Sequence, residues 1–433
     1  MFFRLRAHDA LQRRASARGP RAGKVTPGGR LPLGHAIAIL GCAVWAIALV
    51  LRPACSNAAA PAVRWLDPPQ PGSIWLPLLS GDGETVVAQY FACAEEPPSC
   101  MTASVAERVL VWDAAGAARP LEPGVWSQPA DLSWDGAVVV GAGPDWTNRW
   151  TAESGWTDVL NQPLVIFDAR AVSADGTRTA GRLCDADPCR WRPALWSAEQ
   201  GLHELGLDLD DHTGRADGIS ADGAVVVGVV VDPTGRARPV RWVHAGETEL
   251  LDPDSLLPRD GEALAVSSDG GTVVGWADQD FGGWTQRRAF RWTAEHGIQR
   301  FDGEPDSELD WSSEAIAASH DGSVVVGTSL SSGAPNPRRA WVWSEPEGMR
   351  GLEGLLPDAG GELGDGEVAG YVDVSADGHR VVGVLDGAAD RAFVLRIPEP
   401  PPAAASAVAS IALGTAYARR RGRSRGGPAN TRS

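Results

Sequence analysis

Between residues 62 and 396, short apolar runs alternate with polar turns at a recurring interval, and one phrase returns at one kind of turn. It reads Ser80-Gly81-Asp82-Gly83, Ser133-Trp134-Asp135-Gly136, Ser173-Ala174-Asp175-Gly176, Ser220-Ala221-Asp222-Gly223, Ser267-Ser268-Asp269-Gly270, Ser319-His320-Asp321-Gly322 and Ser375-Ala376-Asp377-Gly378. The Asp residues are 53, 40, 47, 47, 52 and 56 positions apart. The unit around Asp269 shows the parts. Ala263–Ser267 is an apolar run, Asp269-Gly270 turns it, and Thr272–Gly275 runs back. After a polar stretch come Arg288–Thr293, a turn at Glu295-His296-Gly297, and the alternating Ile298–Phe301. Val and aromatic residues suit a pleated, half-buried surface. Asp-Gly between two apolar runs marks a hairpin, because Gly accepts the positive φ of such turns. No stretch of this region keeps a helical period of 3.6.

Each unit therefore predicts about four short strands, and a repeat of roughly 40–50 residues is the size of a propeller blade. A four-stranded sheet cannot bury both faces alone, whereas radially packed sheets can. The pattern predicts an all-β chain, a seven-bladed β-propeller of about four antiparallel strands per blade, with short apolar helical segments at both termini. The seventh unit lacks a fourth strand before Ile397, and Ala62–Leu66 has strand composition without a partner of its own. It is expected to complete the last blade and close the ring; an open, curved array is the alternative. Trp112, Trp150, Trp196, Trp242, Trp292 and Trp343 recur at one place in six units. They are expected between neighbouring blades, where a Trp buries a large area, rather than as a ligand-binding row.

The units resemble the HAF repeat of bacterial extracellular repeat proteins: Ala-x-x-Val-Ser-x-Asp-Gly-x-x-Val-Val-Gly, then Arg-Ala-Phe-x-Trp-x-x-x-x-Gly. Ala263–Gly275 with Arg288–Gly297, and Ala315–Gly327 with Arg339–Gly348, carry it most fully, and residues 171–181, 216–228 and 372–383 also fit. The first unit departs at Gly81 and Ala88, and Leu395 replaces the Trp of the seventh. The resemblance implies an exported propeller-like protein and assigns no catalytic residue.

Residues 1–34 carry eight basic side chains and one acid, followed by the charge-free run Ala36–Leu51. This is a basic n-region and an apolar h-region. At about 1.5 Å per residue the run falls short of the ~30 Å hydrocarbon core, so residues 1–56 read as a signal peptide or signal anchor. At the other end, Pro398-Glu399-Pro400, the charge-free Ala403–Ala418 and Arg419-Arg420-Arg421 resemble the PEP-CTERM sorting signal of bacterial exopolysaccharide producers. The alternative is a Pro/Ala-rich tail. Basic flanks stay cytoplasmic, which puts residues 57–397 across the membrane, in the cell envelope or outside the cell, with residues 398–433 as the tail.

The chain carries a formal charge of −16 although both ends are basic. The acidic middle repels a phosphate backbone, which argues against nucleic acid as a partner. Cys93 with Cys100, and Cys184 with Cys189, fall at one place in two units and are expected to pair as disulfides in an oxidising compartment. No paired metal spacing, nucleophile elbow or nucleotide loop occurs, so no catalytic residue, metal or cofactor is assigned. Asp82, Asp135, Asp175, Asp222, Asp269, Asp321 and Asp377 read as turn residues; one Asp per blade cannot converge on a calcium ion. The polar stretch Ala277–Arg287 is expected to be a ligand loop, with Asp280, Phe281 and Trp284 as contacts. The function expected is a monomeric, non-enzymatic propeller, a binding module for a surface glycan or protein or a structural module, held to the membrane by its terminal segments or released. The alternative is an enzyme acting on surface polysaccharide through paired carboxylates at the channel mouth.

Overall fold

Each Ser-x-Asp-Gly phrase forms the same turn. The Ser hydroxyl donates to Asp Oδ1 and accepts from the N–H five residues on, while Asp Oδ1 also accepts from the N–H two residues on, as in Ser220 and Asp222 (2.6, 3.0 and 2.9 Å). The following Gly takes a φ of 67–74° in all seven turns, the left-handed region that L side chains rarely enter. The Ser side chains are buried, and their hydrogen-bonding capacity is met inside the turn.

The computed structural model describes residues 63–397 apart from position 71 and the segments 93–105, 122–127, 143–147, 161–164, 186–187, 207–211, 245–246, 253–259, 283–284, 302–311, 331–337, 346, 356–366 and 387–390. The expected apolar segments at both ends, and Cys93, Cys100 and Trp284, lie outside these residues. Among the described residues no helix is long and apolar enough to cross a membrane.

Among the described residues twenty-eight strands form seven antiparallel four-stranded sheets. The first is β2 (Gly72–Leu79), β3 (Val86–Ala92), β4 (Ala106–Trp112) and β5 (Ala118–Pro120). Five further sheets follow in chain order: β6 (Gln128–Leu132) to β9 (Gly155–Thr157); β10 (Ile166–Val172), β11 (Arg178–Cys184), β12 (Arg192–Ser197) and β13 (Gly201–Glu204); β14 (Thr213–Ile219) to β17 (Glu247–Leu250); β18 (Gly261–Val266), β19 (Thr272–Asp280), β20 (Thr285–Thr293) and β21 (Gly297–Arg300); and β22 (Ser312–Ala318) to β25 (Gly348–Gly351). The last blade joins β26 (Glu367–Val374), β27 (Arg380–Asp386) and β28 (Arg391–Arg396) to β1 (Val63–Leu66), with Val63 opposite Leu395 and Leu66 opposite Ala392. The fold is a seven-bladed β-propeller, and the N-terminal strand closes it. The open array is thereby excluded.

Neighbouring blades are bound both at the turns and farther out. At the turns, seven backbone hydrogen bonds of 2.7–3.1 Å run round the ring, each from an N–H of one blade to a carbonyl of the next. They pass from Asp82 to Trp134, Trp134 to Ala174, Ala174 to Ala221, Ala221 to Ser268, Asp269 to His320, His320 to Ala376, and from Ala376 back to Gly81. Farther out, the apolar residue just past or ending each outer strand packs against the next blade. Leu66 lies with Trp112, Leu121 with Trp150, Leu205 with Trp242 and Leu251 with Trp292. The Trp row is core, as expected, for these four; Trp196 and Trp343 are half-buried.

Every described inner strand carries a bulge. In β14 the register shifts between Ala216 and Gly218, and in β18 between Ala263 and Ala265. The Gly that ends the Val run sits opposite. A Cβ on Gly228 or Gly275 would lie 2.1 or 2.0 Å from the carbonyl oxygen of Arg215 or Glu262. The repeated Val-Val-Gly thus makes room for a bulged backbone, and the extra residue is turned toward the axis.

Replacing Gly322 with Val should cost about 1–3 kcal/mol, from the positive φ alone. A Cβ there would also come 2.4 Å from Thr272 Oγ1 in the neighbouring blade. Thermal or denaturant unfolding measures the loss; an unchanged midpoint would mean that this turn tolerates a side chain.

Candidate functional site

The seven inner strands and the turns that follow them enclose a cavity of about 500 Å³. Most of its wall is small or apolar, such as Leu78, Ala171, Gly218, Ala265 and Ala317. These occupy one column of the repeat, two residues before the turn Ser. In the second and seventh blades that column holds Asp131 and Asp373.

Both carboxylates make the same contacts. Asp131 Oδ2 accepts from Val172 N on the next blade (2.8 Å) and Oδ1 from Leu132 N (2.8 Å). Asp373 Oδ2 accepts from Leu79 N on the next blade (2.9 Å) and Oδ1 from Val374 N (2.8 Å). Each therefore staples one inner strand to its neighbour, and no described cation pairs with either. Burial pushes Asp131 up to about 7, with the charge of Asp373 adding to the shift and the two backbone N–H groups opposing it. Burial likewise pushes Asp373 up to about 6 against its own two N–H donors.

The bulged positions supply the other polar groups. Arg170, the bulge residue of β10, bonds Asp217, the bulge residue of β14, at 3.4 Å and Asp168 at 3.3 Å. Asp217 also holds Arg215 at 2.9 Å, and Arg215 reaches Glu262 at 2.6 Å. Glu262 accepts from Trp276 Nε1, the Arg287 guanidinium lies 3.8 Å over that indole, and Arg287 pairs with Glu314 at 2.6 Å. A connected chain of charges and one indole thus spans the third to sixth blades. Burial raises the Asp217 carboxyl despite Arg215 and Arg170.

At the turn end of the cavity the ring residues are mostly small: Gly81, Ala174, Ala221, Ser268 and Ala376. The two larger residues of the ring are His320 in the sixth blade and Trp134 in the second, and Trp134 is 41% exposed. Its indole covers Gly81, where a Cβ would lie 2.6 Å from the ring.

The residues singled out from sequence lie elsewhere or serve the fold. The seven turn Asp side chains are occupied within their own turns, with Ser Oγ at 2.5–3.1 Å. The Ala137 N–H and the Ser133 hydroxyl hold Asp135 below the usual carboxylate range, and the Ser220 hydroxyl and the Ala224 N–H do the same for Asp222. The expected loop Ala277–Arg287 is mostly strand: β19 and β20 stay paired out to Asp280 opposite Thr285. Asp280 and Phe281 sit at the end of β19 away from the Asp-Gly turn and do not line the cavity. Asp280 accepts from Gly282 N at 2.8 Å, and Arg288 lies 5.5 Å from the Phe281 ring. Cys184 and Cys189 are joined by a disulfide between β11 and β12. Among the described residues no cluster of three metal-ligating side chains occurs. Asp131, Asp373, Arg170 and Asp217 escaped the sequence reading. Aligning the repeats by column would have exposed the two Asp residues, which replace small or apolar ones.

No family model matches the chain, and no curated protein matches it. Among solved structures it is similar to an oligogalacturonate lyase in complex with manganese, with 13% identity, TM-score 0.52, and 78% of this chain and 93% of that one covered. The oligogalacturonate lyase of Vibrio parahaemolyticus gives 11% identity, TM-score 0.51, and coverage of 78% and 94%. The β-propeller domain of the Trilobed protease from Pyrococcus furiosus gives 13%, 0.48, and coverage of 75% and 93%. At these identities the likeness is one of fold.

Raised carboxyls bind more protons folded than unfolded, so their contribution to stability is complete below the unfolded value and is lost as pH rises through about 6 and about 7. The lowered turn Asp residues act oppositely and lose their contribution as pH falls below the usual carboxylate range. Chemical denaturation should show stability rising from pH 8 to about 5 and falling below about 4. The Asp131→Asn/Asp373→Asn variant should flatten the upper limb; an unchanged upper limb would place those protons elsewhere.

Proposed function

We propose that the protein is an exported, non-enzymatic binding propeller of the bacterial cell envelope, and that its ligand enters the central cavity from the face of the Asp-Gly turns. The observation that carries this reading is the cavity itself. It is concave, walled mainly by small and apolar side chains, and furnished with a few fixed polar groups, which is the usual make-up of a ligand site. Two of its carboxylates, Asp131 and Asp373, are clamped by backbone N–H groups on both oxygens. Such groups recognise a ligand without moving, and the cavity lining offers no Ser, Cys or Lys nucleophile paired with a base.

Export rests on the two terminal signals, and on the acidic middle of the chain. The ligand class consistent with an envelope propeller is a surface glycan or protein. One observation favours the second reading, an enzyme of surface polysaccharide. Asp131 and Asp373 both titrate near neutrality, as acid–base groups do.

Glycan-array binding of the 57–397 fragment, with analysis of the bound sugars for shortened or unsaturated products, separates the readings. Retention of intact glycan supports the binding propeller. Turnover abolished by Asp131→Asn would establish the enzyme instead. Cell fractionation should find the full chain in the envelope or medium; recovery in the cytoplasm would end the export reading.

A further inference from the structure

Among the seven inner strands only β2 lacks a charged residue; the others carry Asp131, Arg170, Asp217, Glu262, Glu314 or Asp373. Its partner β3 has none either. Where its neighbours place charge, β2 places Trp75, and this indole is 43% exposed. Two rings fix its position. Phe91 of β3 meets it at 6.0 Å and 75°, and Tyr371 of β26, in the seventh blade, lies 6.1 Å away at 39°. Tyr371 also lines the cavity, as do Leu76 and Pro77 beside Trp75. The aromatic group therefore adjoins the cavity at its bulge end, while Trp134 stands at the turn end.

The backbone beside the indole is strained. Leu76 has a φ of 49° and precedes Pro77. A bulky side chain rarely takes a positive φ, and a residue before proline is pushed to extended backbone. Such outliers gather at ligand sites, where the surrounding structure holds them. This one turns the chain between Trp75 and Leu78, where the pairing with β3 shifts register. Two polar groups of the aromatic group are also uncommitted. Neither Trp75 Nε1 nor the Tyr371 hydroxyl has a hydrogen-bond partner among the described residues. The Tyr371 hydroxyl is accessible, unlike Trp341 Nε1, which is buried without a partner.

We propose that the bulge end of the cavity binds a neutral glycan, one sugar ring lying on the Trp75 indole beside Tyr371. This rests on the binding reading above and names its ligand class. A pyranose ring has an apolar C–H face and a rim of hydroxyl groups. The face covers an indole whose plane is already set, so little ordering is needed on binding. The rim supplies an acceptor for Trp75 Nε1, and a donor or an acceptor for the Tyr371 hydroxyl. The charge-free strands exclude a charged sugar. An ammonium or a carboxylate would give up its hydration without gaining a counter-ion from β2 or β3. The neighbouring Asp373 already has both oxygens held by backbone N–H groups. A stacked nucleobase brings phosphates, which the acidic chain repels. A proline-rich peptide also docks on aromatic rings and is the competitor in the test.

The test is titration of the full-length protein, followed by calorimetry and tryptophan fluorescence. The probes are neutral oligomers of glucose, mannose and N-acetylglucosamine, a glucosamine oligomer, an oligogalacturonate and a proline-rich peptide. At least one neutral oligomer should bind tenfold or more tighter than either charged oligomer or the peptide, and added salt should leave its affinity unchanged. Trp75→Ala, a change at an exposed side chain, should weaken that binding at least tenfold. Trp75→Phe should restore part of it, and Tyr371→Phe should weaken it several-fold. Far-UV circular dichroism confirms that each variant is folded. Full binding by folded Trp75→Ala overturns the proposal, as does preference for a charged oligomer or the peptide, or no binding of any neutral oligomer. If Trp134→Ala abolishes glycan binding and Trp75→Ala leaves it intact, the binding reading survives and this site fails. If a neutral oligomer is cleaved and Trp75→Ala still weakens it tenfold, this site stands and the non-enzymatic reading fails.

Discussion

The structure depends on a closed circle of seven backbone hydrogen bonds at the Asp-Gly turns. Each runs from blade to blade in one rotational sense, and the last returns from Ala376 to Gly81. A single such bond contributes about 0.5–1.5 kcal/mol net. Its larger effect is geometric, because a circle closes only when every turn presents its N–H and C=O at the same height and angle. That explains the uniformity of the turn. A buried Ser, an Asp accepting inside its own turn and a Gly at positive φ recur seven times, while the rest of each repeat varies.

The same turns set the position of the cavity. An inner strand fixed at its turn end, and bulged three residues earlier, presents one extra residue to the axis. In the third and fourth blades this residue is charged, Arg170 and Asp217; in the fifth and sixth it is Leu264 and Ile316. The next position carries the stapling carboxylates in two blades only. Asp131 and Asp373 therefore serve two purposes. Their backbone contacts join neighbouring inner strands, and their remaining lone pairs face the space that those strands enclose. Their position inside the protein raises their proton affinity, whereas Asp135 and Asp222, near solvent, are held below the usual carboxylate range by their donors.

Much of the fold was legible in the sequence because it rests on local chemistry. The Asp-Gly turns mark every blade, and Val63–Leu66 has strand composition without a local partner, which identifies the closing strand. Trp112, Trp150, Trp242 and Trp292 recur in phase and are core. What stayed hidden depends on partners distant in sequence. A bulge is a register event between two strands, so nothing local tells that Arg170 and Asp217 face inward and meet across blades. Asp278-Gln279-Asp280 looks like a loop by composition, yet pairing with Gln286 and its neighbours carries the strand through it. The stretch read as a ligand loop is therefore mostly strand, and its end at Asp280 lies away from the cavity.

If the turn circle is the element on which the ring depends, its amides cannot open singly. Native-state hydrogen exchange at Asp82, Trp134, Ala174, Ala221, Asp269, His320 and Ala376 tests this directly. All seven should exchange with one common free energy, equal to that of global unfolding. A graded series, or early exchange at the Ala376–Gly81 junction alone, would show that the blades part at a seam and that the circle does not hold the propeller closed.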